Sequence, residues 1–371
     1  MHERTLEVRV GRATREVDLM SAPLGFAIVG CGVIAPFHAR AISDLPDARL
    51  VGVMDLHEEQ AAQCGAEFGV DHFTDLDDVL RRPDVDVVCV CVPSGRHAEV
   101  GVRAARAGKH LVVEKPIEVT LEAADRLIAA CRASGVQLTV ISQHRYDSGV
   151  RRLRELLDSG RLGRLILGDA LIKWYRTQEY YDGAGWRGTW ALDGGGCLMN
   201  QGVHYVDLLQ WMMGPVDSVF ARFSTAAHDI EVEDIVVAAL RFRSGALGCL
   251  EASTAVYPGL PERLEVTGTG GTVIVEAGSL KVCELKDEKG ETSPYGGKLY
   301  SAALPGPETG LADPAAISHY GHRQQIREFL AAIGAGREPM LSGDEGRKPL
   351  EIILAAYESA RTGHDVHLPH R

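Results

Sequence analysis

Phe26-Ala27-Ile28-Val29-Gly30-Cys31-Gly32-Val33-Ile34-Ala35-Pro36 reads as an apolar strand that runs through a glycine turn into a helix. Gly30 permits the tight turn, Gly32 leaves backbone that a pyrophosphate can approach, and the small Ala35 lets helix and strand pack closely. The helix N-terminus offers free N–H groups and a positive dipole end to phosphate. Pro36 falls in the first turn, where its missing N–H costs little. A lone G-x-G-x-x-A is a common turn. Its setting makes it a dinucleotide site: strand before, helix after, and an acid, Asp55, closing the next strand Leu50–Met54. A carboxylate there accepts both adenosine ribose hydroxyls and repels a 2′-phosphate, so NAD is expected and NADP is disfavoured, although His57 lies close by.

Outward from this turn the alternation of strand and helix continues. A helix runs to about Leu45 and another over about 58–68; a buried strand is expected at Asp84–Val92 and a helix at Ala98–Ala107, stopped by Gly108. Then come a short strand at His110–Val113, a helix at Leu121–Arg132 and a strand at Val136–Ile141. Such alternation predicts a parallel, doubly wound sheet over 23–148. Residues 1–22 form a charged extension in which Leu6, Val8 and Val10 alternate; an inessential tail is the plainer reading.

Past about 150 the pattern changes. After a helix at Arg151–Leu157, longer alternating stretches appear at Arg164–Trp174, Ser218–Phe223, Ile235–Phe242, Ala246–Ala252, Leu264–Thr267 and Val273–Glu276. Ser244-Gly245 and Gly270-Gly271 supply hairpin turns. These predict an antiparallel sheet over 149–371 with one covered face. The helices expected to cover it are Gly194–Met213, Arg323–Ala332 and Leu350–Arg361, and residues 286–315 read as an exposed loop.

The chain has 371 residues, more than one ordinary core accommodates, and its 45% hydrophobic and 24% charged composition is that of a globular protein. The net charge of -12, with no basic run or aromatic-basic patch, excludes a nucleic-acid binder and means that an anionic substrate needs a local positive site. No apolar stretch approaches membrane-span length. The N-terminus lacks a signal-type apolar core. Eight scattered cysteines, Cys89 and Cys91 among them, show no metal spacing; free thiols, no metal and a cytoplasmic location are expected.

Two places carry candidate chemistry. Glu114-Lys115-Pro116 leaves a buried strand at the end that faces the cofactor cleft in such sheets. Gly194-Gly195-Gly196 precedes a helix in which Asn200 and His204 are four apart and share a face. The glycines are expected to admit a ligand closely, and Asp207 to orient or charge the His204 imidazole. A surface lysine and a lone helical histidine are usually structural; the strand-end proline and the aligned polar neighbours argue otherwise here.

Together the glycine turn, Glu114-Lys115-Pro116 and Gly-Gly-Gly…His204-x-x-Asp207 resemble the Gfo/Idh/MocA oxidoreductases over about residues 24–365. The resemblance implies that Lys115 and His204 are catalytic and that the Lys115–Pro116 peptide is cis. It implies that the cofactor meets Gly30, Gly32, Val33, Ile34, Asp55, Pro93, Ser94, His97, Glu114, Lys115, Gln143, Trp186 and Arg187, and the substrate Lys115, Arg145, Asn200 and His204. It also implies a homodimer or homotetramer. Many relatives carry aspartate where this chain has Asn200, which neither relays a proton nor carries charge. The segments Trp174–Asp182 and Gly185–Trp190 look most like the UDP-N-acetylglucosaminuronate 3-dehydrogenases of that family. The expected reaction is therefore oxidation of a sugar ring hydroxyl, at C3 of a UDP-sugar, by His204 as base and Lys115 as hydrogen-bond donor. An inositol or free-sugar dehydrogenase is the nearest rival, and a non-catalytic NAD-binding regulator is a rival of another class.

Overall fold

A computed structural model describes residues 22–286 and 318–369; Leu6, Val8 and Val10 and nearly all of the loop expected at 286–315 lie outside them. The first unit runs β1 (Leu24–Val29), α1 (Ala35–Ser43), β2 (Ala48–Met54), α2 (Glu58–Phe68), β3 (Asp71–Phe73), α3 (Leu76–Leu80), β4 (Val87–Val90), α4 (His97–Arg106), β5 (His110–Val113), α5 (Leu121–Ser134) and β6 (Leu138–Val140). Its six strands lie parallel in the order β3-β2-β1-β4-β5-β6. β1 and β4 sit at the centre and are almost wholly apolar because helices cover both faces. Gly69 and Gly135, left-handed at φ 67° and 66°, end α2 and α5 as such caps do. β3 and α3 went unread: a three-residue strand with two exposed positions and a five-residue helix carry no periodicity long enough to register.

The second unit runs α6 (Ser148–Asp158), β7 (Leu165–Lys173), α7 (Gln178–Asp182), a π turn at Leu198–Gly202 that leads into α8 (Val203–Met213), β8 (Val216–Ser224), β9 (Ile235–Phe242), β10 (Leu247–Ser253), β11 (Arg263–Gly268), β12 (Gly271–Glu276) and β13 (Ser279–Leu285). After the undescribed segment come α9 (Tyr320–Ala335), α10 (Gly343–Thr362) and the short β14 (Val366–His367). The eight strands order as β13-β12-β11-β7-β10-β9-β8-β14. Neighbours are antiparallel except β7 and β10, which pair in parallel because the chain passes through α7, α8, β8 and β9 between them. Both expected hairpins are present, at β9–β10 and β11–β12.

α8 and α10 cover one face of this sheet. α9 was expected there too, and this is corrected: it packs against α1 and the turn at Gln143–Tyr146 of the first unit. Ile326 and Phe329, both fully buried, join Phe26, Ile28 and Ala35 in one core cluster. That burial is worth roughly 1.5–3 kcal/mol per side chain, which fixes α9 to the nucleotide-binding unit. The opposite face of the large sheet leaves Leu167, Phe220, Val237 and Leu247 exposed. All eight cysteines are free thiols. Among the described residues no helix is long and apolar enough to cross a membrane.

Candidate active site and cofactor cleft

The turn after β1 has the form a pyrophosphate needs. Gly30 sits at φ 102°, and a Cβ there would lie 2.5 Å from the Cys91 carbonyl oxygen, so only glycine fits. A Cβ on Gly32 would meet nothing within 4 Å, which leaves its backbone open on the cleft side. Asp55 braces the turn: Oδ2 accepts the Cys31 N–H at 2.9 Å and Oδ1 the His57 N–H at 2.9 Å. Each carboxylate oxygen keeps lone-pair capacity for a ribose hydroxyl. Val33, at 64% exposure, and Leu56, at 80%, are apolar side chains left in the open beside this turn and beside Asp55, where an adenine ring needs apolar cover. Leu56 was missed from sequence because a single leucine after an acid has no pattern.

Pro93 and Ser94 open a short turn after β4, with Ser94 buried. His97 does not present itself to a cofactor: its ring nitrogens lie 2.8 Å from the Pro116 carbonyl and 3.0 Å from that of Val92. The ring ties the Glu-Lys-Pro segment to the end of β4, which corrects the expectation of a cofactor contact. The Lys115–Pro116 peptide is cis. Glu114 is buried, with His38 Nε2 2.8 Å and His322 Nε2 3.5 Å from its Oε1. Burial pushes its carboxyl upward, but His322 and His38 hold it well below the usual range.

Lys115 reaches across to the second unit. Its Nζ donates to the Asn200 backbone oxygen at 3.1 Å and to Asn200 Oδ1 at 3.4 Å. Asn200 Nδ2 in turn donates to Asp193 Oδ1 at 2.8 Å, and Asp193 Oδ2 accepts the Gly188 N–H at 3.0 Å. Burial depresses the Lys115 pKa while Glu114 and Asp193 pull the other way. Burial pushes the Asp193 carboxyl up to about 6. Lys115 and His204 line one cavity. The His204 ring stands edge-on to His144 at 4.9 Å, and His144 Nδ1 meets Asp147 Oδ2 at 2.8 Å. Burial, then the Lys115 ammonium, hold His204 well below an ordinary histidine.

Asp207 is not the partner of His204, contrary to expectation. It lies buried on Arg145, with Nε to Oδ2 at 2.8 Å and Nη2 to Oδ1 at 2.5 Å, and it also accepts Ser142 Oγ. Arg145 is itself 2% exposed and stacks 4.8 Å from the Trp211 ring, so it is not available to a substrate. The glycines before the π turn also have another purpose than the one expected. A Cβ on Gly195 would lie 2.1 Å from Tyr357 Oη, and one on Gly196 1.8 Å from the Glu233 carbonyl oxygen. They admit protein, not ligand. Glu233 there accepts the Gly196 and Leu198 N–H groups at 2.8 and 2.9 Å and the Tyr357 hydroxyl at 2.9 Å. Burial raises its carboxyl to about 7.

Trp186 and Arg187 lie beside this centre, with the Arg187 guanidinium 5.6 Å from the Trp186 ring and 4.3 Å from that of Tyr180. Gln201 Nε2 donates to Tyr180 Oη at 3.1 Å. Gln143 Oε1 is buried without a partner, an orphan acceptor suited to an amide donor. Asp193, Glu233, His144 and Tyr180 escaped the sequence reading. Only Asp193 left a signal, an acid directly before three glycines.

A parallel sheet with an open glycine turn, an acid closing the second strand beside it and a lysine carried over to a sheet-and-helix unit defines a two-domain, dinucleotide-dependent oxidoreductase. Residues 24–142 match the oxidoreductase family with the NAD-binding Rossmann fold, and residues 150–274 match the GFO/IDH/MocA C-terminal domain. The chain belongs to the GFO/IDH/MocA family and is an NAD-binding oxidoreductase. It is 34% identical to the WlbA dehydrogenase of Bordetella pertussis, solved with NADH and UDP-GlcNAcA, over 94% of this chain and 100% of that one, with a TM-score of 0.82. It is 26% identical to the myo-inositol 2-dehydrogenase of Thermotoga maritima, over 92% of this chain and 97% of the relative. It is also 26% identical to the D-apiose dehydrogenase of Paraburkholderia graminis, over 92% and 89% respectively.

Proposed function

We propose that the protein oxidises a ring hydroxyl, at C3, of a UDP-sugar such as UDP-N-acetylglucosaminuronate to a ketone, with NAD as cofactor. The observation that carries this reading is that Lys115, anchored on Asn200, and His204, one helical turn on from Asn200, are brought close together, with burial favouring the neutral imidazole. The UDP-sugar is favoured by the 34% identity to the WlbA enzyme.

His204 takes the hydroxyl proton, since burial keeps its imidazole deprotonated. Lys115 hydrogen-bonds the same oxygen and stabilises the negative charge that grows there. Asn200, itself held by Asp193, fixes the direction of the ammonium group. Bound NAD supplies the hydride acceptor. Gly30, Gly32 and Asp55 hold its adenosine and pyrophosphate half, and Val33, Ile34, Pro93, Ser94, Gln143, Trp186 and Arg187 complete the cofactor wall.

The test is nicotinamide reduction across a panel of UDP-sugars, inositols, hexoses and their keto forms. Turnover of a UDP-sugar supports the reading. Turnover confined to inositols, which the Thermotoga relative favours as a second reading, replaces it. An inert panel despite NAD binding selects a regulator. The enzyme is proposed to act in the cytoplasm as a homodimer or homotetramer joined through the open face of its large sheet.

A further inference from the structure

A chain with net charge -12 repels an anionic substrate unless positive charge is concentrated where that substrate binds. Two guanidinium groups provide such a concentration beside Lys115. Arg176 follows β7, and Arg187 follows α7. Both stack on Tyr180, with Cζ 5.3 and 4.3 Å from the ring centroid. Trp174 backs Arg176 at 5.1 Å and Trp186 backs Arg187 at 5.6 Å. Each head group is oriented by one bond to backbone: Arg176 Nη1 to the Tyr175 carbonyl at 3.1 Å, and Arg187 Nη1 to that of Tyr180 at 3.0 Å. The Nε atoms of both are buried and have no partner. Among the described residues neither arginine meets a carboxylate, whereas Arg145 nearby is committed to two, Asp207 and Glu345. Apart from those backbone bonds and the Tyr180 hydroxyl beside Arg176, each fork is stacked on aromatic rings and keeps a donor without a partner, which suits it to binding an oxyanion. The same Tyr180 accepts Gln201, the neighbour of the Asn200 that holds Lys115, so the fork borders the reacting centre.

We infer that Arg176 and Arg187, clamped on Tyr180, form an oxyanion subsite that holds a carboxylate or phosphate group of the substrate. The inference rests on the reading of the Lys115 cleft as the substrate site. A ring carboxylate and a nucleotide diphosphate are the two sources of such a group. Arg187 is also expected at the cofactor, so Arg176 is the residue that separates the roles.

The experiment measures binding to full-length wild type, Arg176→Gln and Arg176→Lys in the presence of NADH by calorimetry. The probes are UDP-N-acetylglucosaminuronate, UDP-N-acetylglucosamine and glucuronic acid, with NADH binding measured separately. Arg176→Gln is expected to weaken the uronate nucleotide roughly 30-fold, the scale of a lost charge-assisted bond, with NADH affinity within about twofold. Arg176→Lys, which keeps the charge but not the fork, is expected to weaken it several-fold; it serves as the readout if Arg176→Gln does not fold. Weakening of the uronate and of glucuronic acid alone assigns the subsite to the ring carboxylate. Weakening of both UDP ligands, with glucuronic acid unaffected, assigns it to the diphosphate. Unchanged binding of all three in both variants overturns the proposal. So does loss of NADH affinity in parallel, which places the fork on the cofactor. Because the readout is binding, failure of wild type to oxidise any UDP-sugar refutes the proposed reaction and leaves the subsite comparison intact.

Discussion

Lys115 Nζ lies 3.1 Å from the backbone oxygen of Asn200 and 3.4 Å from its side-chain oxygen, which joins the nucleotide-binding unit to the π turn of the second unit. The asparagine carries no charge, but the carboxyl of Asp193 stands directly behind it at 2.8 Å. A carboxyl group thus stands at one remove from the Lys115 ammonium group.

Lys115→Ala is expected to lower kcat about 10²–10⁴-fold, with kcat/KM falling in parallel, as for an interaction made in the transition state. Steady-state kinetics on the best substrate of the panel checks this. Asn200→Asp places a carboxyl against Asp193, and two like charges at that distance keep one proton between them; activity should survive with an altered pH profile. A Lys115→Ala enzyme of near wild-type rate removes the lysine from the chemistry.

His204→Ala should lower kcat on a similar scale and leave NAD affinity unchanged, as measured by cofactor titration. Burial and the Lys115 ammonium hold the imidazole neutral where an ordinary histidine titrates. The oxidation rate should therefore show no limb from this group between about pH 6 and 8. Asp207→Asn should leave the pH profile alone. Its cost is in stability, about 1.5–3 kcal/mol, read by denaturant unfolding, since Arg145 loses the nearer of its two carboxylates and keeps Glu345 at 3.3 Å. A profile that moves with Asp207 and not with His204 reverses the assignment.

Asp55 should make NAD bind more tightly than NADP, since a carboxylate at the end of the second strand repels a 2′-phosphate. Asp55→Ala is expected to narrow that preference, with some loss of affinity for both because the Cys31 and His57 N–H groups lose their acceptor. Equal affinities in the wild type contradict the reading of this acid.

Glu233 has a folded pKa raised from 4.5 to about 7 by burial. Between those values the native state holds a proton that the unfolded chain has released, so stability falls as pH rises through this window. The penalty amounts to about 3 kcal/mol at most above pH 7. The unfolding free energy of wild type relative to Glu233→Gln should accordingly fall from pH 5 to pH 8 by up to about that amount. Glu233→Ala, which strands the Gly196 and Leu198 N–H groups, should be less stable and slower at every pH.

The open face of the large sheet exposes Leu247 at 58% and Val237 at 49%. An apolar sheet face of this kind is normally buried against a partner. Light scattering should show an oligomer for the wild type and a smaller species for Leu247→Asp with Val237→Arg. A dilute, stable wild-type monomer contradicts the assembly.

What the sequence by itself determined about this protein is whatever rests on neighbours along the chain. The turn from Gly30 to Ala35, the strand ending in Asp55 and the alternating strands from Ile235 to Ala252 each declare themselves within a dozen residues, because φ preference, period and burial act locally. The tertiary structure alone decided who meets whom. Asp207 stood three residues from His204 and was matched to it, yet its partner is Arg145, 62 positions away. Gly196 looked open to a ligand, and its space is taken by Glu233, 37 positions on. α9 carries an apolar stripe that fits any apolar surface, and only the competition between two sheets placed it on the first. A buried charge or a missing side chain records that something must fill or balance it, but many distant residues satisfy that demand equally, and folding makes the choice.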